Sequence, residues 1–259
     1  MYPVLVQIGT FELRTYGVIV ALSFFLGLWL SGREARRKGI EPALIQDFAF
    51  YAMVGGIVGA RIYFVVFSDP VFFLKNPWQI LAIWHGGIGI IGALIGGLAA
   101  AIWYCRKKQL SFPAFADTLA PGIILGQASG MLACLLNGDS YGRAADLPWS
   151  ITYTDPRSLA PLHIARHPVE LYEMGAYLLV FLLVWLTRKK FRTPGFSFLT
   201  YLAGYGVARL SVEFFRGNPA MLAWNIPAAQ VFGAAMVLVS LVGFYVLGSG
   251  FARDRSTKG

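Results

Sequence analysis

The segment at 126–143, GQASGMLACLLNGDSYGR, passes from apolar to polar side chains without a spacer. It begins as a membrane-spanning stretch and ends in Asn137, Asp139, Tyr141 and Arg143. Polar groups at membrane depth cost free energy, so they usually mark a functional site. An arginine there can hold an anion such as phosphate, and a carboxylate can orient that arginine or take a proton. The simpler alternative for Asp139, which follows Asn137-Gly138, is a turn residue.

A second polar group of side chains lies in ARLSVEFFRG, at 208–217. Arg209 and Glu213 are four residues apart and therefore share a helix face, which Arg216 extends. Two interpretations remain open. The residues form an ion pair that locks helices together, or the arginines hold a phosphate while the carboxylate orients them or accepts a proton.

Other stretches bring polar groups towards the same side of the membrane. The candidates are Tyr16 at the start of an apolar run, Arg61 within one, His85 after Trp84, and His167 in RHPVELYE. His85 can instead be an interfacial hydrogen-bonding anchor, and His167 can serve the turn at Pro168. For Glu173, one turn into the fifth apolar run, the simple reading is a favourable charge near a helix N-terminus.

The composition indicates which elements position these residues. The chain has 259 residues, of which 57% are hydrophobic and only 14% are charged. Soluble domains carry roughly 25% charged residues. Recurring apolar runs are long enough to cross ~30 Å of hydrocarbon. We therefore predict an all-α integral membrane protein, with one membrane-embedded domain over 1–259.

Hydropathy predicts seven transmembrane helices. Their ranges are 15–32, 45–67, 79–104, 113–136, 171–186, 196–215 and 226–247. Clusters of four, three, four and three basic residues follow the first, third, fifth and seventh spans, out of 22 in the chain. Because the basic side is cytoplasmic, the N-terminus is expected outside, in the periplasm, and the C-terminus in the cytoplasm. The loop 137–170 is then external, and the alternating residues 151–154 predict a short strand or hairpin within it.

Several function classes are disfavoured. The net charge of +9 comes mostly from short loops between spans, so nucleic-acid binding is not expected. Cys105 and Cys134 are expected at opposite ends of the bilayer and cannot pair. The sequence has no CxxC or HExxH spacing, so we expect neither a metal nor another cofactor. The first 17 residues lack the basic region and cleavage site of a signal peptide, so the first span is expected to be retained.

Five sequence elements, taken in order, resemble the bacterial prolipoprotein diacylglyceryl transferase family. They are RTYGVIVAL, GARIYFVVFSDPVFFLKNPWQILAIWHGG, GQASGMLACLLNGDSYGR, RHPVELYE and ARLSVEFFRG. The resemblance covers nearly the whole chain. Each element alone is a weak signal, but five in the right order across seven spans are specific.

The resemblance implies an enzyme of the bacterial inner membrane with its active site facing the outer leaflet. Such an enzyme moves the diacylglyceryl group of phosphatidylglycerol to the lipobox cysteine of a lipoprotein precursor and releases glycerol 1-phosphate. The implied catalytic residues are Arg209, Glu213, Asp139, Arg143 and His85. The implied substrate-binding residues, for headgroup or lipobox, are Tyr16, Arg61, Asn137, Gly142, Arg216 and His167. Expected partners are these two substrates and membrane lipids.

The sequence departs from the family pattern at several positions. The family's usual arginine, asparagine and histidine are replaced by Met131, Cys134 and Ile91. Its usual glutamate and glutamine are replaced by Asp139 and Glu170. Two alternatives follow: a diverged or inactive paralogue acting on another lipid or acceptor, and a non-enzymatic lipid-binding or transport protein. A transporter would show paired broken helices or repeats with polar groups at the midplane.

Overall fold

A computed structural model of the chain describes residues 2–9, 11–82, 84, 86–87, 89–222 and 225–256. It is predominantly helical. The chain forms two compact units, the first made of the residues up to 31 and from 117 onwards, the second of residues 32–116.

The first unit contains most of the polar candidates. Its elements in chain order are β1 (Val4–Ile8), β2 (Phe11–Arg14), the start of α1 (Thr15–Arg37), most of α5 (Phe112–Asn137), β3 (Ile151–Thr152), β4 (Ala165–Arg166), α6 (Val169–Thr187), α7 (Phe196–Val212), a 3₁₀ turn (Glu213–Phe215) and α8 (Ala228–Ser256). β1 and β2 pair antiparallel, as do β3 and β4. Its core includes Ile124 of α5, Tyr177 and Val184 of α6, and Tyr201 of α7, all buried.

The second unit is built on two helices with short elements between them. The helices are α2 (Pro42–Phe67) and α4 (Ile90–Lys107), and the short elements are α3 (Pro70–Lys75) and a 3₁₀ turn (Pro77–Ile80). Glycines let α2 and α4 approach closely. A Cβ on Gly59 would lie 2.3 Å from the carbonyl oxygen of Gly92, and one on Gly96 would lie 2.1 Å from that of Gly55. Small residues at the contact between two membrane helices permit such a close approach.

Six of the described helices are long and apolar enough to cross a membrane: α1, α2, α4, α5, α6 and α8 over Ala228–Ser249. The chain is thus a multi-pass membrane protein. α7 has 17 residues, at the lower limit for a span, and the 3₁₀ turn Glu213–Phe215 continues it. The predicted hairpin near 151–154 is present as β3 paired with β4. The hairpin of β1 and β2 was not predicted.

The predicted third span, 79–104, begins too early. The described residues among 81–89, which are 81, 82, 84, 86, 87 and 89, are not α-helical, and α4 starts only at Ile90. Gly86 and Gly87 have φ angles of +82° and +74°, in the left-handed region that a helix does not use. The carbonyls of this stretch turn towards the Arg61 side chain instead of towards helix N–H groups. Hydropathy alone cannot distinguish such an apolar loop from helix.

Candidate active site

Two arginines and two glutamates form a buried ion network between α6 and the end of α7. One oxygen of Glu173, Oε1, accepts hydrogen bonds from Nη1 of Arg209 and, at 2.8 Å, from Nη2 of Arg216. Oε2 of Glu213 accepts from Nε of Arg216 at 3.1 Å and lies 3.7 Å from Nη2 of Arg209. Each carboxylate therefore joins both guanidinium groups.

Burial makes this network sensitive to the loss of any member. The side chains of Glu173 and Glu213 are each 1% exposed, whereas that of Arg209 is 21% exposed. Removing one partner of a buried ion pair costs about 3–5 kcal/mol, because the other charge stays buried. Arg209 is the most exposed member of the network.

The spacing of residues along one helix explains the contact between Arg209 and Glu213, but not the contacts of Glu173. The predicted pair of Arg209 and Glu213 is present, because residues four apart meet on one helix face. Glu173 is a central member that the sequence analysis interpreted only as a helix N-terminal charge. The structure corrects that interpretation, since Glu173 is buried and ion-paired. The signal available in the sequence was an acid just inside an apolar span.

The C-terminus of α5 leads directly into this region. α5 ends at Asn137, and Gly138 turns the chain with a φ of +76°. The backbone oxygen of Asp139 accepts a hydrogen bond from Nδ2 of Asn218 at 2.8 Å. Burial of its carboxylate raises the pKa of Asp139 above the ordinary value of 3.8. The side chain is therefore a carboxyl group that holds its proton at higher pH than an exposed aspartate.

Backbone contacts join the segment at 141–143 to the segments at 215–217 and 166–167. Gly142 and Arg216 form an antiparallel bridge, and the N–H of Arg143 donates to the Phe215 carbonyl at 2.8 Å. The N–H of His167 donates to the Arg143 carbonyl at 3.0 Å. A Cβ on Gly142 would lie 2.3 Å from the His167 oxygen, so only glycine permits this approach. The arrangement brings Arg143, whose side chain donates to the Arg216 carbonyl at 3.3 Å, to the edge of the ion network.

His167 belongs to an aromatic cluster on the same edge. Its Nδ1 lies 3.2 Å from the hydroxyl of Tyr172, which accepts a hydrogen bond from Nε1 of Trp149 at 2.7 Å. The His167 ring also contacts Phe215, with ring centres 5.2 Å apart. His167 is half-buried.

Three buried carboxylate oxygens near the network lack a hydrogen-bond partner within the described part of the chain. They are Oδ1 of Asp139, Oε2 of Glu170 and Oε2 of Glu173. The other oxygen of Glu170 accepts from the hydroxyl of Tyr153 at 2.9 Å. Buried polar atoms are nearly always satisfied by protein, water or ligand. This face of the site therefore suits groups that donate hydrogen bonds, such as hydroxyls.

Arg61, in the second unit, makes backbone contacts with its side chain, and its role as a substrate contact stays a prediction. Its guanidinium donates to the carbonyls of Ile80 at 2.9 Å, Gly86 at 2.8 Å and Gly87 at 2.7 Å, and also to those of Gln79 and Ala82. Backbone oxygens thus use the donors that a phosphate would need. Arg61 holds the loop between the 3₁₀ turn and α4.

The remaining candidates are placed as follows. Tyr16 is the second residue of α1 and is 38% exposed. Asn137 is buried at the end of α5. His85 lies outside the described residues. Across the described ranges, no group of three or more His, Cys, Asp or Glu side chains could hold a metal ion, and metal independence stays a prediction.

Comparisons with known proteins cover almost the whole chain. The family model described as prolipoprotein diacylglyceryl transferase matches residues 3–246. A Synechococcus elongatus protein is 38% identical over 95% of this chain and 86% of its own length. A Bordetella avium protein is 34% identical over 93% of each chain, and a Geobacter sulfurreducens protein is 33% identical over 92% of each. All three relatives are named phosphatidylglycerol–prolipoprotein diacylglyceryl transferase.

Proposed function

The chain belongs to the prolipoprotein diacylglyceryl transferase family, and on that premise we propose how its residues perform the transfer. The chain is a transferase. It moves the diacylglyceryl group of phosphatidylglycerol to a prolipoprotein, and the acceptor atom in our proposal is the lipobox cysteine sulfur. The match over residues 3–246 includes both units, which supports a single transferase domain over 1–259.

The observation that carries the proposal is the buried network of Arg209, Glu173, Arg216 and Glu213. In the reaction, a sulfur–carbon bond forms at the glycerol carbon of the lipid and the carbon–oxygen bond to phosphate breaks. Glycerol 1-phosphate leaves with the electron pair, so charge develops on phosphate oxygens. Arg209 is held by two carboxylates but is partly exposed, and its planar fork suits two phosphate oxygens.

The thiol must lose its proton before it attacks. A free cysteine has a pKa of about 8.5, and nearby cations lower that value. We propose Glu213 or Asp139 as the acceptor of the proton. The raised pKa of Asp139 suits this role, because a base works best with a pKa near the working pH.

The remaining residues bind the substrates in our proposal. Arg143 and Arg216 stabilise the phosphate, while Tyr16, Asn137 and the backbone at Gly142 position the headgroup. The unpartnered oxygens of Asp139, Glu170 and Glu173 can accept hydrogen bonds from the headgroup hydroxyls. His85 stays a sequence-based candidate.

We propose a topology of seven spans, with α7 as the short sixth span. The N-terminus is then periplasmic, the C-terminus is cytoplasmic, and the site faces the outer leaflet of the bacterial inner membrane. Basic residues in the last turns of α1 and α4 support this orientation.

The test is a transfer assay with the full chain purified in detergent. The enzyme is mixed with phosphatidylglycerol and a lipobox peptide, and the peptide mass is measured. We expect a gain of one diacylglyceryl group on the cysteine-containing peptide and none on a peptide with serine in its place. An unmodified cysteine peptide, with folded enzyme and intact lipid, contradicts the proposal.

A further inference from the structure

A chain of two hydrogen bonds reaches the ring of His167. The indole N–H of Trp149 points to the hydroxyl oxygen of Tyr172 at 2.7 Å, and that oxygen lies 3.2 Å from Nδ1 of His167. Indole nitrogen is only a donor, whereas a phenol has one O–H donor and an oxygen that accepts. The direction of the first hydrogen bond is therefore certain.

The first bond uses one lone pair of the Tyr172 oxygen and so favours a second bond in which the Tyr172 proton is donated. Because the Tyr172 oxygen accepts from Trp149, its own proton is free to point at His167. Nδ1 then accepts, and in a neutral imidazole the proton must be on Nε2. Nε2 makes no hydrogen bond to the protein within the described residues, so its N–H is available to a ligand.

The surroundings of Nε2–H favour an anionic ligand. The His167 N–H donates to the carbonyl of Arg143, whose side chain is exposed. The His167 ring contacts Phe215. In the sequence, Phe215 stands between Glu213 and Arg216, which belong to the ion network. The backbone bond makes Arg143 and His167 neighbours, and a guanidinium together with an N–H donor suits a phosphate group, which accepts hydrogen bonds and carries negative charge.

We propose that His167 donates a hydrogen bond, through Nε2–H, to the phosphate of the donor lipid. Trp149 and Tyr172 are positioning residues that hold the Nε2-protonated tautomer. The identity of the anion as a lipid phosphate rests on the proposed function. The tautomer of His167 is argued only from the hydrogen-bond geometry. His167 is thereby assigned to stabilising the leaving phosphate and not to accepting the thiol proton.

The tautomer is tested by long-range ¹H–¹⁵N NMR of histidine-labelled full chain in detergent micelles. The chain has three histidines, and spectra of His85→Gln and His163→Gln variants assign the His167 signals. In the neutral form of the His167 ring we expect the proton on Nε2. In Tyr172→Phe, which keeps the ring but loses the hydroxyl, we expect a mixture of the two tautomers. A wild-type His167 whose neutral ring has its proton on Nδ1 overturns the proposal.

The role is tested by comparing three substitutions in the transfer assay. His167→Ala should lower kcat about 10- to 100-fold, the size expected for one hydrogen bond to a charged group. His167→Gln, whose amide nitrogen reaches the place of Nε2, should recover most of that loss. His167→Asn, whose amide reaches only the place of Nδ1, should not. Equal losses in folded Ala, Gln and Asn variants overturn the donor role, while wild-type enzyme without any transfer contradicts the proposed function and leaves the NMR result standing.

Discussion

Glu173 uses a single oxygen to accept hydrogen bonds from two arginines. Glu173→Gln keeps the shape of the side chain but leaves two guanidinium groups without one of their carboxylates. We expect the free energy of unfolding to fall by about 3–5 kcal/mol, with a large loss of transfer activity. Chemical unfolding in detergent measures the first effect and the peptide assay measures the second.

An exposed pair in the same unit provides the control. Asp155 and Arg157 are 2.9 Å apart on the surface. Asp155→Asn makes the same chemical change outside the network and should leave stability and transfer at the wild-type level. A Glu173→Gln variant that behaves like this control would remove Glu173 from the site.

Arg209 is predicted to need its planar fork. Arg209→Ala should abolish turnover, and Arg209→Lys should not fully restore it, because an ammonium group is a point charge with no paired N–H geometry. A steady-state comparison of both variants, with thermal stability measured in parallel, separates chemistry from folding. Well-folded Arg209→Ala protein with a normal rate would show that the network is only structural.

Asp139 should make stability depend on pH in a defined direction. Because burial raises its pKa, the native state binds this proton more tightly than the unfolded chain does. Its favourable contribution is complete below about pH 3.8 and is lost as pH rises through the raised pKa. Asp139→Asn removes this loss, so its melting temperature relative to wild type should increase from pH 4 to pH 7. A constant or decreasing difference would mean that the pKa of Asp139 is not raised.

At the scale of elements, the packing of α2 against α4 offers two neighbouring glycines with opposite expectations. A Cβ on Gly96 would meet the Gly55 carbonyl oxygen at 2.1 Å, whereas one on Gly97 would meet nothing within 4 Å. Gly96→Ala should destabilise the protein by about 1–3 kcal/mol through overpacking. Gly97→Ala should be neutral or stabilising by up to ~1 kcal/mol, since alanine favours helix. Thermal melts of the two variants test this, and similar melting temperatures would contradict the close approach.

Local pattern explains which elements could be predicted. The apolar runs of α1, α2, α5, α6 and α8 continue for five turns or more, so hydropathy predicts where each helix starts to within three residues. The stretch before α4 is equally apolar, but its conformation depends on Arg61, 18 to 26 residues earlier in sequence. The average hydropathy of neighbouring residues contains no information about that contact.

The same limit applies to the site. Arg209 and Glu213 could be paired from sequence because their contact is local to one helix. Glu173 is 36 residues from Arg209, so their contact depends on how α6 packs against α7. The roles of Trp149 and Tyr172 likewise depend on a contact between two residues that are 23 positions apart in the sequence.

For the whole molecule, the central claim is that one transferase moves a diacylglyceryl group and leaves the phosphate with the headgroup. The measurement is product analysis with phosphatidylglycerol carrying an isotope label in its glycerol headgroup, in the presence of EDTA. The account predicts equal amounts of thioether-linked diacylglyceryl peptide and labelled glycerol 1-phosphate. A peptide that gains phosphate with its lipid, release of labelled free glycerol, or activity that returns only with an added divalent metal would contradict it.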